Sequence, residues 1–303
     1  MPFPVRMLLA AVLFSSVVFA ETVVEHPFPG VTYTREIRDE SIPQVFHLVT
    51  IAPDTPGLAF KTTRSNGEAP RDTDTESALA FARRTGVQVA INANFFSPLG
   101  EPQANLIGLA ASNGKVVSPW DSPSMLEAIH FDRDNRISFI RPANPDRPSG
   151  SETNPPVVLH NAVTGNIRVV ERGRIPIPTG GDRHPRTLIG LTEDGTLLLL
   201  VVDGRRRGIS VGATMHECAT VLREHGADTA INLDGGGSTT LIIADPEPSV
   251  VNRPSGQFGI LRSNGNHLGV FAGNGGASAP TPENRPQASA DAHTHAASSS
   301  AQR

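Results

Sequence analysis

Cysteine and lysine are scarce in this 303-residue chain, and neither sign of charge dominates. Cys218 is the only cysteine, so no intramolecular disulfide can form. Lys61 and Lys115 are the only lysines, and 30 acidic residues outnumber 26 basic ones. A protein that binds nucleic acid through phosphate contacts needs a basic surface. We therefore expect no nucleic-acid partner, and the composition carries no indication of oligomeric state.

Aromatic residues are also few, with Trp120, Tyr33 and 13 phenylalanines. Proteins that only bind sugars often present several exposed rings as a contact surface. This scarcity counts against a non-catalytic glycan-binding protein, although that class stays an alternative.

The longest terminal apolar run, Met7 to Phe19, follows Arg6 and ends beside Ala20. It is shorter than the roughly 20 residues that a membrane-spanning helix needs. A positive residue, a short apolar run and a small residue predict a secretory signal peptide over residues 1–20, with an uncleaved anchor as the alternative. We expect a mature chain from Glu21 that is periplasmic or extracellular, with no stable membrane insertion after cleavage.

Composition also sets the domain boundaries. Residues 273–303 are rich in Gly, Ala, Ser and Pro, and they predict a disordered tail. Between the signal peptide and this tail lies a core of residues 21–272, which contains the polar motifs described next.

The periodicity of the core favours strands over helices. Thr196 to Val202 is an apolar run typical of a buried strand, whereas Gly212 to His225 has helical spacing with Cys218 on its apolar face. Strands outnumber helices and do not alternate with them regularly. The sequence therefore predicts an α+β fold, with a mixed β-sheet core and a few packed helices.

The first polar motif lies between Ala90 and Phe96. Asn92 and Asn94 would lie on the same side of an extended segment. Their carboxamides can donate to and accept from sugar hydroxyls or phosphate oxygens. Alternatively, both side chains hydrogen-bond the backbone of a turn.

The second motif flanks the apolar run that ends at Val202. Arg186 precedes this run and could bind phosphate through two parallel hydrogen bonds. Asp203 follows it directly, where it is either a reactive carboxylate or the acid of an Asp-Gly turn. The Arg205 to Arg207 cluster is typical of a solvated turn.

The third motif, Asn232 to Ser238, places Asp234 before three glycines and a serine. Glycines let backbone N–H groups approach a ligand closely, and successive N–H groups can bind an anion. No lysine follows, so this is not a P-loop. A ligand-binding loop and a structural tight turn are the two interpretations.

Together, and in this order, the motifs resemble the phosphodiester glycosidase domain family over residues 73–272. The resemblance implies a single catalytic domain over these residues, with residues 21–72 expected to supply the N-terminal strands of the core. Members of this family hydrolyse the bond between the anomeric carbon of a sugar and a phosphodiester oxygen, as in α-N-acetylglucosaminyl-1-phosphodiesters. The blocks that carry the resemblance are Ile91-Asn92, Phe95-Phe96, Asn161 to Gly165, Arg186-Thr187, Gly190, Asp203-Gly204, Asn232 to Ser238 and Val251 to Pro254.

The resemblance implies a carbohydrate phosphodiester as the substrate and two catalytic carboxylates, Asp234 and Asp203. It leaves open which of them attacks the sugar or activates water. The residues implied to hold the phosphodiester and complete the sugar pocket are Arg186, Gly235, Gly236, Gly237, Ser238, Asn92, Asn94, Thr187, Asn252 and Arg253.

No resident cofactor is expected. A different enzyme remains as an alternative, namely a phosphodiesterase that breaks the P–O bond with a divalent metal on Asp203 and Asp234, since carboxylate oxygens suit such ions.

Overall fold

The computed structural model describes residues 21–38, 42–256 and 260–273. The predicted signal peptide and residues 274–303 of the predicted tail lie outside the described residues. Within the described part of the chain, no helix is both long and apolar enough to cross a membrane.

The described strands form four sheets. The seven-stranded sheet contains, in spatial order, β1 (Glu21–Phe28), β2 (Val31–Arg38), β3 (Gln44–Ile51), β17 (Leu197–Val202), β16 (Arg186–Thr192), β18 (Ala227–Asn232) and β15 (Ile167–Val170). The five-stranded sheet contains β20 (Pro248–Val250), β19 (Leu241–Ala244), β6 (Val89–Asn92), β21 (His267–Phe271) and β4 (Ala59–Thr62).

A six-stranded sheet contains β10 (Lys115–Ser118), β9 (Ala110–Ser112), β14 (Asn161–Gly165), β11 (Glu127–Phe131), β12 (Ile137–Pro142) and β13 (Thr153–Asn154). A small sheet contains β5 (Thr73–Asp74), β8 (Gln103–Leu106) and β7 (Phe96–Ser97). The helices are α1 (Ala78–Thr85), α2 (Met215–Glu224) and a 3-10 turn at Gly236–Ser238.

The largest apolar core joins three of these sheets. Leu199 and Val201 of β17 pack in one cluster with Ile91 and Leu268 of the five-stranded sheet and Ile129 of the six-stranded sheet. Successive side chains of a strand point to opposite faces, so this core takes every second residue of β17. We call this the inner face of the seven-stranded sheet.

The other residues of β17 face α2 on the outer face of the sheet. Leu198 and Leu200 pack there with Cys218 and Leu222. Both faces of β17 are therefore buried, which explains why its sequence is a continuous apolar run. This confirms the buried strand predicted from that run.

Helix α2 confirms the helix predicted between Gly212 and His225. Its first residue is Met215 because the Thr214 hydroxyl accepts a hydrogen bond from the Glu217 backbone N–H, and the Glu217 carboxylate accepts one from the Thr214 backbone N–H. Cys218 is buried and free, as predicted.

Helix α1 covers the five-stranded sheet on the side away from the central core. Phe81 and Ala82 pack against Ala90 and Ile242. The helix ends at Gly86, whose φ of 74° is left-handed, the usual glycine stop.

The expected α+β class with a mixed sheet needs correction, because the protein is mostly β-sheet. The two α-helices in the described residues are short, and every ladder between described strands is antiparallel. The physical reason is that antiparallel neighbours can be joined by short turns, so they need no helical crossovers.

The N-terminal segment 21–72 takes part in two of the sheets. Strands β1 to β3 form one side of the seven-stranded sheet, where β3 pairs with β17. Strand β4 pairs with β21 near the other end of the chain. These strands therefore complete the same core as the motif-bearing region.

Packing of α2 is testable by truncating Leu222 at its buried face. We expect Leu222→Ala to lower the free energy of unfolding by about 2–5 kcal/mol, because it leaves a cavity between helix and sheet. Urea unfolding measures this loss, with Arg223→Ala on the exposed face as the matched control, expected to change stability by less than about 1 kcal/mol. Equal losses in both variants would contradict the described packing.

Candidate functional site

A cleft of about 410 Å³ opens where β18 ends and the glycine loop, residues 234–238, begins. Polar, charged and apolar side chains share its wall with loop backbone. Its lining residues are Phe95, Leu99, Asn166, His184, Pro185, Arg186, Arg205, Met215, Asn232, Asp234, Gly235, Gly236, Gly237 and Arg262. Of the residues predicted for the site, five therefore face one cavity: Arg186, Asp234, Gly235, Gly236 and Gly237.

The carboxamide of Asn92, at the end of β6, fixes both ends of the glycine loop. Its Nδ2 donates to the backbone oxygen of Asp234 at 2.6 Å. Its Oδ1 accepts from the Thr240 backbone N–H at 3.1 Å and from Thr187 Oγ1 at 2.8 Å. Both Asn92 and Thr187 are buried and neither lines the cleft, so their contacts position the loop.

Further backbone bonds hold the loop against neighbouring segments. The Asp234 N–H donates to the Ala93 oxygen at 3.0 Å, and the Gly236 N–H donates to the Pro185 oxygen at 2.8 Å. Gly236 has a φ of 60°, which side-chain-bearing residues rarely adopt. The loop geometry thus requires glycine there.

Asp234 presents the carboxylate of the cleft and is partly exposed within it. Burial raises its pKa to about 6, while a hydrogen bond from Ser238 and the positive charge of Arg262 oppose that rise. Ser238 is itself buried and does not line the cleft, so it supports the carboxylate from behind.

Arg186 brings the first cation to the cleft and is held there by neutral partners. Its Nε donates to the Ala213 oxygen at 3.2 Å, and its Nη2 donates to the Asp182 oxygen at 2.9 Å. Burial lowers its pKa. Because carbonyl oxygens orient the guanidinium without neutralising it, its charge stays available to an anion.

Arg205 and Arg262 approach the glycine loop itself. The Arg205 guanidinium lies 3.1 Å from the place where a Cβ on Gly236 would be. Arg262 would overlap a Cβ on Gly237, and its Nη1 donates to Ser238 Oγ at 3.4 Å. Among the described residues, no ion pair engages either arginine or Arg186.

Asp203 and Arg253 do not line this cleft, so the two predicted carboxylates lie in the walls of different cavities. They line a second cavity of about 270 Å³ together with His47. Asp203 is 1% exposed and follows Val201 on the inner face of its sheet, whereas Arg186 belongs to the outer face. The two-residue period of strands thus separates the two predicted groups.

The Asp203 carboxylate is fully engaged where it lies. Oδ2 is 3.2 Å from His47 Nε2, and Oδ1 accepts from the Arg253 backbone N–H at 2.7 Å and from Asn252 Nδ2 at 3.3 Å. Asn252 also accepts from the Leu241 N–H at 2.8 Å. Asp203 and Asn252 therefore brace the chain that follows the glycine loop.

Asn94 is buried and does not line the cleft. Its Nδ2 donates to the oxygens of Leu109 at 3.2 Å and Ile107 at 3.4 Å. Its Oδ1 accepts from the Thr164 N–H at 3.0 Å and from Asn266 Nδ2 at 2.9 Å. The structure gives Asn94 these internal partners in place of the expected ligand contact.

Several cleft residues were not predicted. The Arg205 to Arg207 cluster carried the signal for Arg205, but it was interpreted as a solvated turn. Arg262 is isolated in the sequence, so no local pattern could indicate it. The other unpredicted lining residues with polar side chains are Asn166, His184 and Asn232.

No three His, Cys, Asp or Glu side chains in the described parts of the chain come together as a metal site. The cleft instead combines one carboxylate with three guanidinium groups and loop backbone. Guanidinium groups and backbone N–H groups in such an arrangement can bind an anion.

Residues 85–271, more than half of the chain, match the phosphodiester glycosidase family, within the span of the resemblance described above. The chain belongs to the phosphodiester glycosidase family.

Two solved structures share the fold. The catalytic domain of zebrafish N-acetylglucosamine-1-phosphodiester alpha-N-acetylglucosaminidase, auto-inhibited by its pro-peptide, has a TM-score of 0.62 at 18% identity, with 84% of this chain and 88% of that chain covered. A hypothetical protein from Synechocystis has a TM-score of 0.59 at 18% identity, with 80% of this chain and 62% of that chain covered.

Among curated proteins, the uncharacterized SPbeta prophage-derived protein YomE of Bacillus subtilis strain 168 is 28% identical over 179 residues. The match covers 55% of this chain and 26% of that protein, so this chain corresponds to a minor part of its relative.

The environment of Asp234 has a consequence for stability. The pKa of Asp234 is about 6 in the folded state, which is higher than in the unfolded state. Folding is therefore most favourable while Asp234 is protonated, and this part of the free energy of unfolding is lost as pH rises through about 6. Asp234→Asn removes the titration. We expect the variant to gain about 2–3 kcal/mol relative to wild type between pH 4 and pH 8.

Urea unfolding at the two pH values measures this difference. Asp146→Asn, in an exposed loop, is the control and should change stability by less than about 0.5 kcal/mol at either pH. If the free energies of unfolding of wild type and Asp234→Asn differ by the same amount at both pH values, the pKa of Asp234 is not raised by burial.

Proposed function

We propose that this protein is an exported hydrolase that cleaves the bond between the anomeric carbon of a sugar and a phosphodiester oxygen. The observation that carries the proposal is the position of Asp234 in one cleft with Arg186, Arg205 and Arg262. Family membership supports the reaction class. The zebrafish relative is described as acting on an N-acetylglucosamine-1-phosphodiester, and we propose α-linked substrates of this kind for the present chain.

The three guanidinium groups are proposed to hold the phosphodiester. Guanidinium donors match phosphate oxygens in pairs, and no described carboxylate neutralises these arginines by an ion pair. When the bond breaks, the departing phosphate gains charge. The same cations therefore bind the leaving group more strongly in the transition state than in the ground state.

Asp234 is proposed to act at the anomeric carbon. It can attack that carbon to form a glycosyl intermediate that water then hydrolyses, or it can take a proton from an attacking water. In both routes the C1–O bond breaks and its electron pair leaves with the phosphate. Water supplies the new hydroxyl on C1, and the remaining proton goes to the phosphomonoester product or to solvent.

A separate acid is unnecessary for this leaving group. A phosphomonoester is a stable anion, unlike the alkoxide of an ordinary glycoside, so it needs little protonation as it departs. One carboxylate in a cationic cleft is therefore sufficient for the proposed reaction. The remaining predicted residues Asn92, Thr187, Ser238 and Asn252 support it by fixing the loop and the carboxylate.

Export is proposed from the N-terminal sequence alone. Arg6, the apolar run and Ala20 have the order of a secretory signal, and they precede the first strand at Glu21. We propose a periplasmic or extracellular location, where glycosyl phosphodiesters of cell-surface polymers would be accessible.

The metal-dependent phosphodiesterase receives less support than the glycosidase. It would need Asp203 and Asp234 to share an ion, but these carboxylates line different cavities. Loss of activity in EDTA with recovery on addition of Mg²⁺ would favour it. The non-catalytic binding protein would bind the substrate without turnover.

The two aspartates make a matched pair of variants for testing the proposal. With an α-N-acetylglucosaminyl-1-phosphodiester as substrate, we expect Asp234→Asn to lower kcat by at least about 10³-fold, because the reacting carboxylate is lost. Asp203→Asn should lower stability through its lost hydrogen bonds but reduce kcat by less than about tenfold. The rate of release of free sugar gives kcat, and an unfolding curve for each variant shows whether it is folded.

Near-wild-type turnover in Asp234→Asn would remove that residue from the mechanism. A large loss of kcat in a fully folded Asp203→Asn would instead move the reaction to the second cavity.

The pH dependence gives an independent prediction. Both proposed roles of Asp234 require its carboxylate form, and its pKa is raised to about 6. We therefore expect kcat/KM to rise about tenfold per pH unit below pH 6 and to level off above it. Initial rates between pH 4 and pH 8 measure this. A profile that falls through pH 6 would assign Asp234 the role of a proton donor.

A further inference from the structure

Asn232, in the wall of the cleft, holds a buried hydrogen-bond acceptor that has no partner among the described residues. It is the last residue of β18 and only 2% exposed, yet it lies in the cleft wall. Its Nδ2 donates to Asn166 Oδ1 at 2.9 Å. Its Oδ1 has no partner among the described residues. Buried side-chain carbonyls are rarely left unpartnered, so this atom calls for a donor from outside the chain.

The structure holds the Asn232 backbone in place, so the segment cannot move back to satisfy the acceptor. Asn166 donates its backbone N–H to the Asn232 oxygen at 3.0 Å. Gly165 packs so closely that a Cβ there would overlap the same oxygen. The strand also pairs on both sides, with Ile167 and with Leu188. The carboxamide is thus a pre-organised group in the wall.

The position of this acceptor identifies what would bind it. Asn232 lies two residues before Asp234, a chain distance of about 7 Å at most, and both line the same cleft. A ligand whose anomeric carbon lies at Asp234 therefore brings its own ring to Asn232. The donor must come from that ring, because the phosphate faces the arginines and carries only acceptor oxygens.

We infer that Asn232 is the residue that selects the sugar: its Oδ1 accepts a hydrogen bond from a hydroxyl or acylamido N–H of the ring that is bonded to phosphate. This inference rests on the proposed function and names the sugar class for the same cleft. Neutral sugars that carry a donor at this position are accepted. Rings with a deoxy, ether or carboxylate group there are rejected, because the acceptor then stays unpartnered or faces another acceptor.

Binding of sugar 1-phosphates tests the inference without relying on turnover. The probes are N-acetylglucosamine 1-phosphate, glucose 1-phosphate and the four monodeoxy glucose 1-phosphates, with Kd measured by calorimetry. We expect one deoxy analogue to bind wild type at least about tenfold more weakly than its parent. In Asn232→Leu, which keeps a similar size but has no acceptor, we expect parent and analogue to bind equally.

Two controls separate a specific contact from a folding defect. Asn144→Leu, in an exposed loop, should retain the wild-type preference. Asn232→Leu should bind inorganic phosphate as tightly as wild type, since the arginines are unchanged. If that variant loses phosphate affinity, Asn232→Ser replaces it in the same comparison.

Equal weakening of parent and analogue in the folded variant would show a purely structural role and overturn the inference, as would the absence of any affinity for sugar 1-phosphates. Selective binding without hydrolysis of the corresponding phosphodiesters would uphold the inference and refute the proposed glycosidase activity.

Discussion

The site depends on one side chain, the carboxamide of Asn92. It bonds the backbone on both sides of the glycine loop and the hydroxyl of Thr187, so three chain segments meet at a single residue. Together with the hydrogen bond from the Gly236 N–H to the Pro185 oxygen, this connection fixes the loop relative to β16, which carries Arg186. Arg186 lies on a strand of the seven-stranded sheet and Asp234 follows another, whereas Asn92 ends a strand of the five-stranded sheet. This buried amide therefore joins the two sheets at the cleft.

In the proposed reaction, binding and bond cleavage use different charged groups of the cleft. Arg186 and Arg262 are oriented by neutral oxygens, and none of the three arginines forms an ion pair among the described residues. Asp234 is partly desolvated, which raises its pKa to about 6 and leaves it ready to gain or lose a proton near neutral pH. Asp234 shares the cleft with these cations but forms no ion pair with them among the described residues.

Sequence reasoning succeeded where the signal was local. The glycine loop, Asp234, the buried strand β17 and the capped helix α2 all follow from short patterns. It was less successful where position depends on the fold. The two-residue period of strands places Asp203 on the inner face, away from Arg186, but the sequence does not show which face forms the cleft.

Arg262 reaches the loop only through tertiary packing. Asn94 has the side chain of a ligand-binding residue, but its four hydrogen-bond partners are all internal, and the sequence does not show them. The antiparallel pairing could not be predicted from strand patterns that suit either direction.

We propose that the protein breaks a carbon–oxygen bond and leaves the phosphorus–oxygen bonds intact. Hydrolysis of an α-N-acetylglucosaminyl-1-phosphodiester in ¹⁸O-labelled water, followed by mass spectrometry of both products, distinguishes the two. We expect label in the anomeric hydroxyl of the released sugar and none in the phosphomonoester. Label in the phosphate would refute carbon–oxygen cleavage, because water would then have attacked phosphorus.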